Sequence, residues 1–440
     1  MQERDAIDRR SFVRATAATS AMLAVAGCAG DDGPEDDNET DADDDGSAGD
    51  PNDDDPSVPQ FIEVEDPPDA VYVPTHRESM RMLEPVESGD IAVAPMLSYP
   101  HPFWIVAGGD EESVEQEQVD DGSGVHLMLT IWDRETGVVL PVDEGLQVRV
   151  YDEDGDEVAD SPLSPWTMIS QGMGFHFGDN VSLPDDGTYT VELTVPPLST
   201  RTTGDLEGRL EETETVRFEF VYDDEFRDEV VGGVEYFDEE YWGQRDAIEP
   251  MHHGDHGGED ESHEHDDDDS GDGDHSEHDG DADQGHGHGI PYSELPEIDA
   301  YPGTLLVDPE ASEDPEETTD LPESGDARLL VSLLESDHRL ADDGSYLLVS
   351  PRTPYNRVPL PDMALAATVE RDGETVAETP LEQTIDGEFG HHYGAPVSDV
   401  RPGDSVTIEI QSPPQVARHQ GYETAFLEMP SVELEVPAEH

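Results

Sequence analysis

The chain has 440 residues, of which 110 are Asp or Glu and 20 are basic, so its formal net charge is -90 at neutral pH. All of the basic residues are Arg. A surface this acidic repels nucleic acid and anionic headgroups, and we expect no nucleic-acid partner. It also repels itself, so the compact state should need molar salt, where the Debye length is about 3 Å. The composition therefore indicates an extreme halophile.

The N-terminal segment carries export signals. Arg9 and Arg10 form part of a sequence that resembles a twin-arginine export motif, and an apolar stretch, residues 15–26, follows. That stretch is too short to span a bilayer core of about 30 Å. Cys28 is the only cysteine and ends a sequence that resembles a lipobox, which indicates lipidation. We interpret residues 1–28 as a lipoprotein signal that leaves the mature chain anchored on the extracellular face of the cell membrane.

Residues 29–60 are predicted to be a disordered acidic spacer, since they are rich in Asp and Glu and show no apolar periodicity. Structure should then begin near Phe61, and residues 61–250 form the first predicted module. Apolar and polar residues alternate over three of its segments, namely Leu146–Val150, Tyr189–Val195 and Val216–Phe220. This alternation is typical of half-buried strands.

Residues 251–325 are predicted to be a disordered linker rich in His and Asp. Nine imidazoles stand there among carboxylates, with few apolar residues: His252, His253, His256, His263, His265, His275, His278, His286 and His288. Such spacing can wrap Zn²⁺, Cu²⁺ or Ni²⁺ without a fixed fold, as in a buffer or collecting arm. The alternative is a solvated acidic linker in which the histidines have no role.

Residues 326–440 form the second predicted module. Four of its segments have strand character: Leu329–Leu333, Ala366–Glu370, Val406–Ile410 and Val432–Val436. Short strands separated by turn signals favour antiparallel sandwiches over helical folds. The predicted fold class is all-β, with two immunoglobulin-like antiparallel β-sandwiches joined by the disordered linker.

One motif occurs in both modules. The sequence from Phe175 to Val181 contains His-Phe-Gly, and the sequence from His391 to Val397 contains His-Tyr-Gly. A Pro-Pro pair follows each copy some twenty residues later. Repetition of this kind indicates a duplicated module with an imidazole at the same point of each copy. His76, His338 and His440, which lie outside the motif, are expected on the surface.

The second motif continues with an alternating strand, Pro-Pro and Arg-His, and in this it resembles the ferrous-iron transport-associated proteins of bacterial periplasms and their lipoprotein relatives. The resemblance covers about 100 residues in each half. It implies immunoglobulin-like sandwiches that bind copper, iron or zinc, often dimerise and serve iron uptake beside a membrane permease. The family's ligands match His126, His176, His392 and His419, with Met168 or Met173 as an approximate methionine. The tandem His391 lies beside His392 and is a further candidate.

Neither module holds the complete ligand set of that family. Arg201-Thr202 stands where Arg-His is expected in the first, and Arg328 stands near where His126 would fall in the second. Three interpretations remain open. Each module has lost its site, or the modules form an intrachain pseudo-dimer that pools His126, His176, His392 and His419, or each keeps an incomplete site completed by water or carboxylates. A dimer of chains is also compatible with the resemblance.

No enzyme class fits the sequence. The segment around His176 also resembles the copper loop of copper-zinc superoxide dismutases, but that loop needs a second histidine and a disulfide. We therefore expect a protein that is not an enzyme. The predicted function is an exported, lipid-anchored protein that binds copper, iron or zinc, for metal acquisition or delivery to a permease. The alternative is a structural or adhesive cell-surface lipoprotein with tandem β-sandwich domains.

Overall fold

The computed structural model describes residues 61–109, 113–119, 123–141, 145–158, 161–251, 290–306, 321–341 and 344–437. All of them fall within one compact unit, Asn52–His440. The predicted lipoprotein signal, the acidic spacer and the nine histidines of the linker lie outside the described residues. No helix in the described ranges has the length and apolar character needed to cross a membrane.

The first half of the described chain forms a sandwich of a large and a small antiparallel sheet. The strands of this half are β1 (His76–Arg77), β2 (Met80–Met82), β3 (Val86–Ser88), β4 (Ile91–Ser98), β5 (Phe103–Val106), β6 (Val114–Glu117), β7 (Val125–Asp133), β8 (Gln147–Tyr151), β9 (Trp166–Ser170), β10 (Gly174–Val181), β11 (Gly187–Val195), β12 (Arg201–Thr203), β13 (Glu214–Tyr222) and β14 (Glu235–Tyr236). Of these, β1 and β14 pair with each other in a separate two-stranded sheet, and β12 pairs with a strand of the second half. The large sheet contains the order β2-β4-β7-β10-β9, and the small sheet has the order β13-β11-β8. One helix in the described part of the chain, α1 (Asp224–Gly232), follows β13 and is capped by the Asp223 carboxylate, which accepts from the Phe226 N–H.

The second half forms the other sandwich. Its strands are β15 (Thr304–Leu305), β16 (Glu323–Ser324), β17 (Ala327–Leu334), β18 (Ser345–Arg352), β19 (Ala364–Arg371), β20 (Glu374–Asp386), β21 (Gly390–Val397), β22 (Ser405–Ser412), β23 (Ala417–Arg418) and β24 (Val432–Glu435). Most of them join in the order β15-β17-β18-β21-β20-β19-β22-β24. The long strand β20 pairs with β19 over its first part and with β21 over its last, so it passes between the two layers.

Alternation along the strands explains the layers. In β11 the residues Tyr189, Val191, Leu193 and Val195 are buried in the core, and the residues between them are partly exposed. A period of two places one face of a strand in the core and the other toward solvent. Each predicted strand segment coincides closely with an observed strand, and the predicted all-β class of two antiparallel sandwiches is confirmed.

The two sandwiches correspond strand by strand, and each lends one short strand to the other. The order β15-β17-β18-β21-β20 corresponds to β2-β4-β7-β10-β9. β23, from the second half, pairs with β9 and β5 of the first sandwich. β12, from the first half, pairs with β20 of the second in the same parallel sense. Residues of the C-terminal half therefore complete the first sheet.

Candidate metal centre

The face of the first large sheet that points away from the main core carries several of the candidate ligands. Leu127 and Leu129 of β7 lie in the main core, so the alternate residues His126 and Met128 point to the opposite face. In the register of the sheet, His126 is opposite Asn180 of β10. His176, also in β10, is on the same face and is opposite Met168 of β9.

Two further imidazoles reach this face from other parts of the chain. His101 follows β4, and His419 follows β23, whose pairing with β9 places the His419 N–H 3.2 Å from the carbonyl oxygen of Ile169. One ring nitrogen from each of His101, His126 and His419 lies within 4.8 Å of the others. His176 Nε2 is 3.1 Å from His419 Nε2. All four side chains are buried, with exposures between 0% and 5%.

The hydrogen bonds of the four rings assign their tautomers. Each Nδ1 lies near an oxygen acceptor: His101 near the Pro102 carbonyl (3.1 Å), His126 near Asn180 Oδ1 (2.9 Å), His176 near the Gly174 carbonyl (3.3 Å) and His419 near Glu78 Oε1 (3.1 Å). Because these oxygens accept, the Nδ1 atoms of His126, His176 and His419 carry the proton and donate. His101 differs, because its Nε2 also faces an oxygen acceptor, Glu78 Oε2, at 3.1 Å. The Asn180 oxygen is fixed toward His126, since its Nδ2 donates to the His101 carbonyl at 3.0 Å.

With Nδ1 protonated, the Nε2 atoms of His126, His176 and His419 are left as lone-pair donors. Nε2 of His126 is buried and has no hydrogen-bond partner. The Nε2 atoms of His176 and His419 face each other at 3.1 Å, each presenting a lone pair, which is unfavourable unless a cation or a proton lies between them. Metal-bound histidines characteristically donate their second ring N–H to an oxygen in this way. The arrangement fits a transition-metal ion.

Glu78 supplies a negative charge beside the rings. Its Oε2 lies 3.1 Å from His101 Nε2, and its side chain is 21% exposed. Burial opposes ionisation of this carboxyl, but the neighbouring His101 and His419 outweigh it and hold its pKa well below the usual range. Burial likewise lowers the pKa of His101, but Glu78 outweighs that effect and the net pKa is raised.

The other two rings are held neutral. Burial, reinforced by His101 and His419, lowers the pKa of His126 well below its ordinary value. Burial, together with His419, lowers the pKa of His176 to about 3. Neutral imidazole is the form that ligates metal, so protons compete only weakly with a metal ion at His126 and His176.

Space in front of the rings is kept open by a glycine. A Cβ atom on Gly178 would lie 2.8 Å from Met168 Sδ and 3.1 Å from His126 Nε2. Any larger residue would therefore press on both groups. The thioether of Met168 and the imidazole of His126 thus border one small volume, and Met168 is a fifth potential ligand.

The corresponding place in the second sandwich has different side chains. Tyr346 of β18 corresponds to His126, because Tyr346 is opposite Pro396 as His126 is opposite Asn180. Thr384 corresponds to Met168, because Thr384 is opposite His392 as Met168 is opposite His176. The pairing of Arg201 with Thr384 corresponds to the pairing of Ala417 with Met168 in the first sandwich. Thr203, two residues after Arg201, therefore corresponds to His419, two residues after Ala417. Tyr346 Oη lies 3.3 Å from His392 Nε2, so a protein hydroxyl partners this ring.

The sequence-predicted ligands therefore separate into groups. The structure brings together His126, His176 and His419, whereas His392 lies in the second sandwich. Met173, which is 3% exposed, packs in a cluster of methionines, and His391 is buried among core residues with both ring nitrogens unpaired.

Two members of the centre, His101 and Glu78, were not among the predicted ligands. Glu78 directly follows β1 and stands two residues after His76. This His-x-Glu spacing is the one signal for Glu78 that the sequence holds. His76, expected on the surface, is only 7% exposed because its ring packs edge-on against Phe61.

Comparison with known proteins gives partial matches. Residues 299–435, which include His419 but none of the other three imidazoles, match a family described as a domain of unknown function (DUF7350). No curated protein matches the chain.

Among solved structures, a copper-bound variant of FetP from uropathogenic Escherichia coli strain F11 is similar at 18% identity with a TM-score of 0.25, covering 32% of this chain and 97% of that one. FetP of the same strain as isolated, expressed in the periplasm of E. coli, is similar at 18% identity with a TM-score of 0.23, covering 32% and 95%.

Proposed function

We propose that this chain is an exported metal-binding protein whose centre is formed by His101, His126, His176 and His419 beside Glu78. The observation that carries the proposal is the clustering of four buried imidazoles. In three of them, His126, His176 and His419, Nδ1 faces an oxygen acceptor and Nε2 does not. Purely structural histidines would be expected to pair both nitrogens with protein groups. Here the Nε2 atoms of His176 and His419 face each other at 3.1 Å, and the Nε2 of His126 has no hydrogen-bond partner.

The donor set defines the class of ion. Imidazole with carboxylate suits Zn²⁺, Cu²⁺ or Fe²⁺, and the thioether of Met168 adds affinity for copper. Four imidazoles would complete a tetrahedral coordination sphere and leave no open position for a substrate. We therefore propose binding and transfer of the ion, and no catalysis.

The role outside the cell rests on the sequence signals. Arg9, Arg10 and Cys28 support export and lipid anchoring, and we propose that the protein acquires its ion at the extracellular face of the membrane and delivers it to a permease. Both described ends of the histidine-rich segment are bonded to the turn at Gln171 and Gly172, which lines a pocket together with Glu78 and His419. Met251 N–H donates to the Gly172 carbonyl at 2.9 Å. The Tyr292 hydroxyl donates to the Gln171 carbonyl at 3.1 Å.

We propose that the nine histidines of the linker raise the local concentration of metal beside the centre. A tethered ligand acts at a high effective concentration when its attachment points lie near the receiving site. The proposal predicts that a chain lacking residues 252–289 keeps the affinity of the centre but loads it more slowly from dilute metal.

The two modules provide a matched pair of variants for the test. His176 and His392 are both buried, and each places its Nδ1 near a glycine carbonyl, at 3.3 Å and 3.2 Å. Calorimetric titration of the protein, folded in molar salt, with Zn²⁺ or Cu²⁺ should show that one equivalent of metal binds tightly. His176→Ala should weaken it at least about 100-fold, because loss of an outer-sphere partner alone costs 10–100-fold. His392→Ala should leave it unchanged.

The melting temperature provides a second readout, since an ion that binds only the folded state stabilises it by about 2.7 kcal/mol at one hundred times its dissociation constant. Equal titration curves for the two variants would contradict the assignment of the centre. If the native protein showed no tight equivalent and no rise in melting temperature, the structural or adhesive alternative would replace metal binding.

A further inference from the structure

Methionines are concentrated at one place in the molecule. Of the nine in the described part of the chain, six form one cluster that contains no other residue type: Met80, Met82, Met96, Met128, Met173 and Met251. The main core is built from Val, Leu, Ile, Ala, Phe and Tyr, with methionine only at its margin. If the cluster served packing alone, the aliphatic residues that fill the core would serve equally well.

The cluster lies on the sheet face that carries the imidazoles. Met82, Met96 and Met128 are directly opposite one another across three neighbouring strands. In the adjacent row, Met80 is opposite Ser98, which in turn is opposite His126. Directly opposed residues share a face of the sheet. The thioethers and the imidazoles are therefore neighbours on one surface.

Three of the six methionines line a pocket that also borders the centre. Met80, Met173 and Met251 line this pocket together with Glu78 and His419. Met173 comes from the turn between β9 and β10, and Met251 folds over Gly172, its Cε lying 3.1 Å from where a Cβ of that glycine would be. The three side chains thus come from separate parts of the chain to one opening.

We propose that Met80, Met173 and Met251 form a second metal site, a thioether site for Cu⁺ at the mouth of the imidazole centre. Thioether sulfur is a neutral, soft ligand that selects Cu⁺ over Zn²⁺ and Fe²⁺. The flexible methionine side chain allows three sulfurs to adapt to one ion. This site does not depend on the proposed function of the four imidazoles, because its ligands are different atoms.

The test is an anaerobic titration with Cu⁺ of full-length protein whose methionine methyl groups carry ¹³C. The first equivalent should shift the methyl signals of Met80, Met173 and Met251 and leave those of Met363 and Met429, outside the cluster, in place. The experiment is repeated after loading with Zn²⁺ and in His176→Ala. Shifts that persist in both assign the Cu⁺ to the thioethers, whatever the imidazoles bind.

A variant series checks the stoichiometry. Replacement of all three residues by Leu conserves volume and should remove one Cu⁺ equivalent in competition with a chromophoric Cu⁺ chelator, without loss of Zn²⁺ binding. Met363→Leu with Met429→Leu is the matched control and should lose none. The single variant Met251→Leu should weaken the same equivalent even if the triple variant folds poorly. Unmoved methyl signals, or a folded triple variant with undiminished Cu⁺ binding, would overturn the proposal.

Discussion

Replacing His391 by Phe should stabilise the protein, and more so in acid. His391 lies on the core face of β21, and its ring packs edge-on against Tyr393, with centroids 5.1 Å apart and planes at 88°. The corresponding pair in the first sandwich is Phe175 and Phe177, at 5.3 Å and 89°. The corresponding position in the first sandwich, Phe175, therefore holds a phenyl ring in the same geometry.

The magnitude has two parts. Both ring nitrogens of His391 are buried without a partner, and an unpaired buried polar group costs about 1–3 kcal/mol. Burial, with a smaller contribution from His392, also lowers its pKa to about 3. An unfolded chain binds this proton below about pH 6.5 and the native chain only near pH 3, so the free energy of unfolding falls as the pH drops through that window. At pH 5, binding of this proton by the unfolded chain lowers the free energy of unfolding by about 2 kcal/mol.

The assay is urea unfolding in molar salt at pH 8 and pH 5. His391→Phe should raise the midpoint at both values, with about 2 kcal/mol more gain at pH 5. The matched variant Phe175→His should lower the midpoint, and more at pH 5 than at pH 8. A gain for His391→Phe that does not depend on pH would refute the reasoning, because it would mean that His391 is protonated equally in both states.

Two further predictions concern the centre and its counterpart. Glu78→Gln removes the charge that raises the pKa of His101. The affinity for Zn²⁺ should therefore be weaker at pH 8, but it should decrease less between pH 8 and pH 6 than in the native protein. If the ratio of the dissociation constants at the two pH values were the same as in the native protein, Glu78 would not control the proton on His101. Tyr346→His combined with Thr203→His places imidazoles at the positions that correspond to His126 and His419, so the protein should bind one additional Zn²⁺. Tyr346→Phe is the control, and unchanged stoichiometry in the double variant would contradict the strand correspondence.

Much of the fold follows from local patterns in the sequence. The alternation in Tyr189–Val195 and in Val406–Ile410 predicts strands because a period of two is itself the physical requirement for a half-buried strand. The exchange of β12 and β23 between the sandwiches could not be predicted in this way. Both are two- or three-residue strands whose pairing depends on partners far away in the sequence, and nothing local specifies those partners.

The same division holds for the candidate site. The repeated motif predicts His176 and His392 equally as ligands, since the sequence presents both in the same setting. Their difference lies in what surrounds them. His176 has His126, His419 and Met168 as neighbours, whereas His392 has the Tyr346 hydroxyl. His391, predicted from the sequence as a ligand, lies on the core face of its strand, opposite to the face of His392, because adjacent residues in a strand point in opposite directions.

The sequence by itself determined the kinds of donor that are available, imidazole, carboxylate and thioether with one cysteine near the N-terminus, and the all-β class that presents them. Only the tertiary structure decided that donors from residues 78 to 419 share one site. Strand pairing over more than two hundred residues brings His419 beside His176, and the chemistry of a metal site depends on distances of a few ångströms that sequence spacing does not define.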